Sequence, residues 1–150
     1  MTLVARLAYQ GAILAYHAAF ERERLHDLAC LLPELEGPLF NIANRLVDLE
    51  AIIVKHVYHP AFHGTFSLKS VLPALVPHCS YEGLAIKDGG AAALAYEQLR
   101  MLPHGPEKDR LREQLNAYCA QDTWGLVQIY RLLRGLSPLG SSQAGQVDRA

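Results

Sequence analysis

Apolar positions change period several times along the chain, and each change marks an element. Leu3, Val4, Leu7 and Ala8 recur at helical spacing, with Gly11 as a stop. The short unbroken run Ile13, Leu14, Ala15 and Tyr16 reads as a buried strand. From Phe20 the helical period returns: Leu25, Leu28, Ala29 and Leu32 share one side, Arg22, Glu23 and Asp27 lie elsewhere, and Pro33 ends the helix. Pro38 opens a third short helix through Arg45, and residues 46–49 fit either a strand end or the entry to a helical segment reaching Val57.

Residues 56–65, with Pro60 and Gly64, read as a loop; Ser67 is placed to cap a helix to about Leu75, and Pro77 stops it. Asp88, Gly89 and Gly90 make a turn ahead of an alanine-rich helix over 91–102. The longest element starts near Pro106, where Glu107 and Asp109 suit a helix N-terminus, and runs to about Leu133, with Arg131 and Arg134 suited to its C-terminus. Beyond it Ser, Gly and Gln dominate, so 137–150 is expected to be a flexible tail behind a single domain over 1–136.

Two acids interrupt this pattern. At roughly 100° per residue, Leu111, Leu115, Tyr118, Cys119, Leu126, Ile129, Tyr130 and Leu133 fall in one stripe about 120° wide, with Asp122 near its middle. Glu21 lines up in the same way with Leu25, Leu28 and Leu32. An ionised carboxylate on an apolar stripe must find a cation, a hydrogen-bond donor or a water-filled cleft, because burying it alone costs several kcal/mol. Two readings stay open at this point. Glu21 favours a helix N-terminus while Asp122 pairs with a buried arginine, or the two carboxylates share a metal. Tyr118, one turn before Asp122, projects from the same face.

Composition narrows the class. The chain has 150 residues, 51% hydrophobic, with fourteen basic residues against fifteen acidic. That is enough for one compact core, and the near-neutral balance excludes the broad positive field of a dedicated duplex-DNA binder. Cys30, Cys79 and Cys119 are odd in number and never form a C-x-x-C pair, which points away from disulfides and zinc knuckles and toward a reducing cytoplasm. The N-terminal apolar run is broken by Arg6, Gln10 and Gly11, so neither a leader nor a membrane span is expected. His56, His59 and His63 sit in a Pro- and Gly-containing loop without a cysteine or acid at ligand spacing, and read as loop residues rather than a zinc site.

Read in order, Ala15 to Glu21 with Tyr16 and His17 inside it, then Val47-Asp48-Leu49, then Phe66-Ser67-Leu68-Lys69, then Tyr118-Cys119-Ala120-Gln121-Asp122-Thr123 resembles the landmarks of DEDD exonucleases, the proofreading-exonuclease superfamily of ribonuclease-H-like fold. Tyr58-His59-Pro60, the run from Gly64 to Pro73, Ser80-Tyr81 and Asp88-Gly89-Gly90 bring the chain closer to an uncharacterised bacterial domain found on the C-terminal side of predicted RecB-family nucleases. This likeness covers roughly residues 12–134.

The resemblance implies an α/β, helix-rich ribonuclease-H-like fold with few strands, acting as a metal-dependent 3′–5′ exonuclease on single-stranded or terminal DNA or RNA. It places Glu21 at the second-motif acid, Asp122 at the third-motif acid and Tyr118 at the residue that positions the attacking water. Asp48 reads either as a support behind that site or as a structural strand end, and His17 as a further candidate support. Two Mg2+ or Mn2+ ions about 3.5–4 Å apart are the implied cofactors, and a RecB-type nuclease domain is an implied partner in a longer chain. Three departures stand out: Glu21 replaces an aspartate, His17 stands where asparagine is commoner, and residues 1–20 contain no Asp or Glu, so the first motif, Asp-x-Glu, is missing. The chain is therefore read as a fragment, a mis-started reading frame or a degenerate copy, inactive by itself. The alternative is a non-catalytic module that keeps the fold to bind nucleic acid or protein.

Overall fold

A computed structural model of the protein describes residues 10–135. The chain divides into two compact units, Met1–Ser67 and Leu68–Ala150. The expected helix over residues 3–8 and the expected tail over 137–150 lie outside the described residues.

The first unit is built on strand β1 (Ile13–Ala15), helix α1 (Ala18–Leu31), helix α2 (Glu36–Asn44), strand β2 (Leu46–Asp48) and helix α3 (Leu49–His56). Single 3-10 turns at Pro33–Leu35 and Pro60–Phe62 begin at prolines, whose missing N–H costs nothing at the first position of a turn. The strands pair in parallel, Ile13 with Leu46, Leu14 with Val47 and Ala15 with Asp48. Parallel pairing needs a crossover between the strands, and α1 and α2 supply it. Ile13 N–H extends the pairing to the Arg45 carbonyl (2.9 Å), while the Arg45 guanidinium donates to the Gly11 carbonyl (3.1 Å).

Helix α1 packs chiefly on α2. Its buried residues are Ala18 and Ala29, whereas Leu28 and Leu32 are 43% and 38% exposed. The inward stripe therefore runs through Ala18, half-buried Leu25 and Ala29, and not through Leu28 and Leu32. From α2 come Leu39, Ile42 and Ala43, and from α3 Leu49 and Ile53, all nearly free of solvent contact. Residues 46–49, open to two readings in the sequence, hold both: a strand ending at Asp48 and a helix starting at Leu49.

The second unit contains α4 (Leu68–Leu75), α5 (Gly89–Met101) and α6 (Pro106–Leu133), close to the expected bounds. Asp88, expected as part of a turn, is the N-cap of α5, its carboxylate accepting from Ala91 N–H at 2.7 Å. Along α6 the positions that turn inward follow an alternating four-three spacing through Leu111, Leu115, Tyr118, Asp122, Gly125, Ile129 and Leu132, all buried or half-buried. Cys119, Tyr130 and Leu133, expected on this face, are exposed. Gly125 is where α4 comes closest: a Cβ there would stand 2.6 Å from Leu72 Cδ2. The fold is thus helix-rich, with one short two-stranded sheet among the described residues.

Candidate functional site

The residues singled out by the sequence separate between the units: His17, Glu21 and Asp48 lie in the first, Tyr118 and Asp122 in the second.

Asp48 closes β2 and serves two helices at once. Its Oδ1 accepts from His17 N–H (3.1 Å) and Glu50 N–H (3.0 Å), and its Oδ2 accepts from Ala18 N–H (3.0 Å). The first four N–H groups of a helix lack intrahelical partners. At α1 the residue in the N-cap position, His17, makes no side-chain cap, so the carboxylate from β2 replaces it. At α3 Asp48 is itself the N-cap. Its role is to fasten the β1–α1 and β2–α3 turns together.

His17 adopts the left-handed conformation, φ 63°, which costs an ordinary L-residue about 1–2 kcal/mol and is most easily taken by glycine or asparagine. Here the imidazole Nδ1 lies 2.8 Å from Glu50 Oε2. Glu21 sits in the first turn of α1, where negative charge favours the helix dipole, and its side chain is exposed. Tyr16, between β1 and α1, donates its hydroxyl to the Phe66 carbonyl. Burial, then the charges of Glu50 and Asp48, push that phenol well above its ordinary pKa.

In the second unit Asp122 is half-buried and accepts a 2.6 Å hydrogen bond at Oδ1 from the Tyr81 hydroxyl. Tyr118 lies one turn before Asp122, and burial, followed by its interaction with the Asp122 carboxylate, pushes its phenol up to about 12. The Tyr81 and Tyr118 rings lie 6.2 Å apart, tilted by 42°. The partners of the inward carboxylate are thus phenols, and not the arginine of the simpler sequence reading. Tyr118 hydroxyl also stands 4.0 Å from where a Cβ on Gly89 would be, at the start of α5.

Tyr81 is the residue that the periodicity argument missed. It lies in the connection between α4 and α5, where no helical or strand period points to a partner, and its only sequence signal is membership of the Ser80-Tyr81 landmark. The neighbouring cleft of α5 and α6, lined by Gln98, Met101, Leu102, Glu107, Arg110, Leu111 and Gln114, includes none of the three clustered residues.

Magnesium and manganese are held by about six oxygen ligands, and two-metal hydrolysis requires several carboxylates around the ion pair. Among the described residues, no three His, Cys, Asp or Glu side chains come together so as to hold a metal ion. One carboxylate between two phenols does not fit a two-metal centre. No helix among the described residues is long and apolar enough to cross a membrane.

Residues 1–67 match the model of a family described as Domain of unknown function (DUF2779). The matched stretch has the same bounds as the first compact unit, so Tyr81, Tyr118 and Asp122 all lie beyond it. No curated protein and no solved structure matches the chain.

Proposed function

We propose that the protein is a nucleic-acid-end-binding domain of the DEDD exonuclease kind, in which Asp122 and Tyr118 correspond to the third-motif acid and the water-positioning phenol and Glu21 to the second-motif acid. By itself the chain does not hydrolyse phosphodiesters. The observation that supports this reading is the Tyr118–Asp122 pair, one turn apart on the inward side of α6, where the Asp122 carboxylate helps to raise the Tyr118 phenol. A carboxylate on that face is costly to keep unless it has a task, and a phenol beside it is the arrangement that orients a water. Because the donors present do not fit two Mg2+ or Mn2+ ions, no hydrolytic step follows from these residues alone. The missing carboxylates would have to come from another segment or another chain.

A second reading is favoured by one observation: Asp122 already has both phenols as partners. A carboxylate so satisfied serves a non-catalytic interaction module equally well. Fluorescence anisotropy with end-labelled single-stranded DNA and RNA, at low salt and with Mg2+ or Mn2+, separates the two. The nuclease-like reading expects weak, salt-dependent binding of the strands with no shortening of the label. Absence of binding to either nucleic acid would overturn the nuclease-like reading. Robust cleavage that Asp122→Ala abolishes would show that the chain carries a complete catalytic centre.

A further inference from the structure

Three successive residues ahead of α5 are each tied to α6. Cys79 is buried, which raises its thiol pKa, while the Trp124 indole N–H directed at its sulfur lowers it against that burial; the Ser80 carbonyl accepts from Gln121 Nε2 at 3.0 Å; the Tyr81 hydroxyl donates to Asp122 Oδ1 at 2.6 Å. The Tyr81 ring is 8% exposed, so it is held by packing as well as by its hydroxyl. A short O–H···O− bond from a fixed donor is directional and among the stronger hydrogen bonds. An aspartate on a helix otherwise exchanges between staggered χ1 wells, and a bond to an immobile donor selects one of them.

We propose that Tyr81 is the positioning residue of the Asp122 site: it fixes the carboxylate in the rotamer that meets Tyr118, so that acid and phenol act as one preorganised unit. This rests on Tyr118 and Asp122 being the functional pair. A directional bond from a fixed donor acts on how the carboxylate is presented, so losing it should be felt in what the site binds as well as in stability.

The test uses the full chain with labelled aspartate, reading the Asp122 χ1 couplings by NMR beside oligonucleotide anisotropy and thermal melting. In the wild-type chain the couplings should report a single rotamer; averaged couplings there overturn the proposal without any variant. Tyr81→Phe should stay folded with a melting temperature lowered no further than in Asp122→Asn, move the Asp122 couplings toward averaged values, and weaken strand binding roughly tenfold. Gln121→Ala, which releases Ser80 but leaves the Tyr81–Asp122 bond, should keep the couplings of the wild type. Equal averaging in both variants, or an unchanged Asp122 in Tyr81→Phe, would reduce Tyr81 to a packing residue. Absence of strand binding in the wild type would remove the nuclease-like reading, while the couplings would still decide whether Tyr81 sets the carboxylate.

Discussion

Two aspartates carry most of the residue-scale argument, and they do different work. Asp48 gives three backbone N–H groups an acceptor at two helix starts. A single cap is typically worth about 1 kcal/mol, and here one side chain supplies two while also opposing the left-handed strain at His17. Asp48→Ala should therefore lower stability by about 2–3 kcal/mol, and Asp48→Asn by less, because the amide retains one acceptor oxygen. A urea titration that moves by only a few tenths of a kcal/mol would refute the double cap. Asp122 differs in that its partners are side chains. Hydrogen bonds to a charged group contribute about 1.5–3 kcal/mol, offset here by the cost of desolvating the carboxylate, so Asp122→Asn should destabilise by about 1–2 kcal/mol. A carboxylate on an apolar stripe without a donor would lose little or even gain stability on neutralisation; the Tyr81 hydroxyl on Asp122 argues the opposite sign. Thermal melting of the variant without added metal decides between them.

At the scale of elements, the contact of α4 with α6 is the most sensitive point. Gly125 leaves no room for a methyl group beside the fully buried Leu72. Gly125→Ala gains about 1 kcal/mol of helix propensity but incurs an overpacking cost of about 1–3 kcal/mol, so a net loss near 1 kcal/mol is expected. Leu72→Ala removes the obstructing atoms at a cost of about 2–5 kcal/mol. In the double variant the alanine at 125 should become stabilising, giving a coupling on the order of 1–3 kcal/mol in a double-mutant cycle. Simple additivity would show that the helices have room to shift apart. The same helix shows how far periodicity reaches: it predicts the bounds of α6 and the inward direction of Asp122. It does not predict Gly125 and Gln128, both buried, because their value lies in what packs against them and not in their own hydrophobicity.

For the molecule as a whole, each unit contains a tyrosine whose ionisation the fold opposes, Tyr16 in the first and Tyr118 in the second. Below pH 10, the ordinary tyrosine value, both states keep these phenols protonated and their contribution to stability is complete. As pH rises further the unfolded chain releases protons that the folded chain retains, so stability falls, through about pH 12 for Tyr118 and beyond it for Tyr16. Denaturation midpoints should decline from about pH 10 upward. Tyr16→Phe and Tyr118→Phe should each flatten part of that decline, and an unaltered slope in both would contradict the environments assigned to them.

The amino-acid sequence by itself determined where the chain could be helical or extended. Period, proline and glycine act locally: the strand at Ile13, the proline limits at Pro33 and Pro106, and the acid on the inward stripe of α6 were all legible from spacing. Only the tertiary structure decided which side of α1 turns inward, through what packs on it: Ala18 and Ala29 are buried, Leu28 is not, and Glu21 is left exposed. It likewise turned Asp48 from a strand end into a shared cap, and gave Asp122 a phenolic partner from 41 residues away in sequence. Hydrogen bonds between distant residues leave no period in a sequence; they exist once the backbone has brought donor and acceptor within about 3 Å.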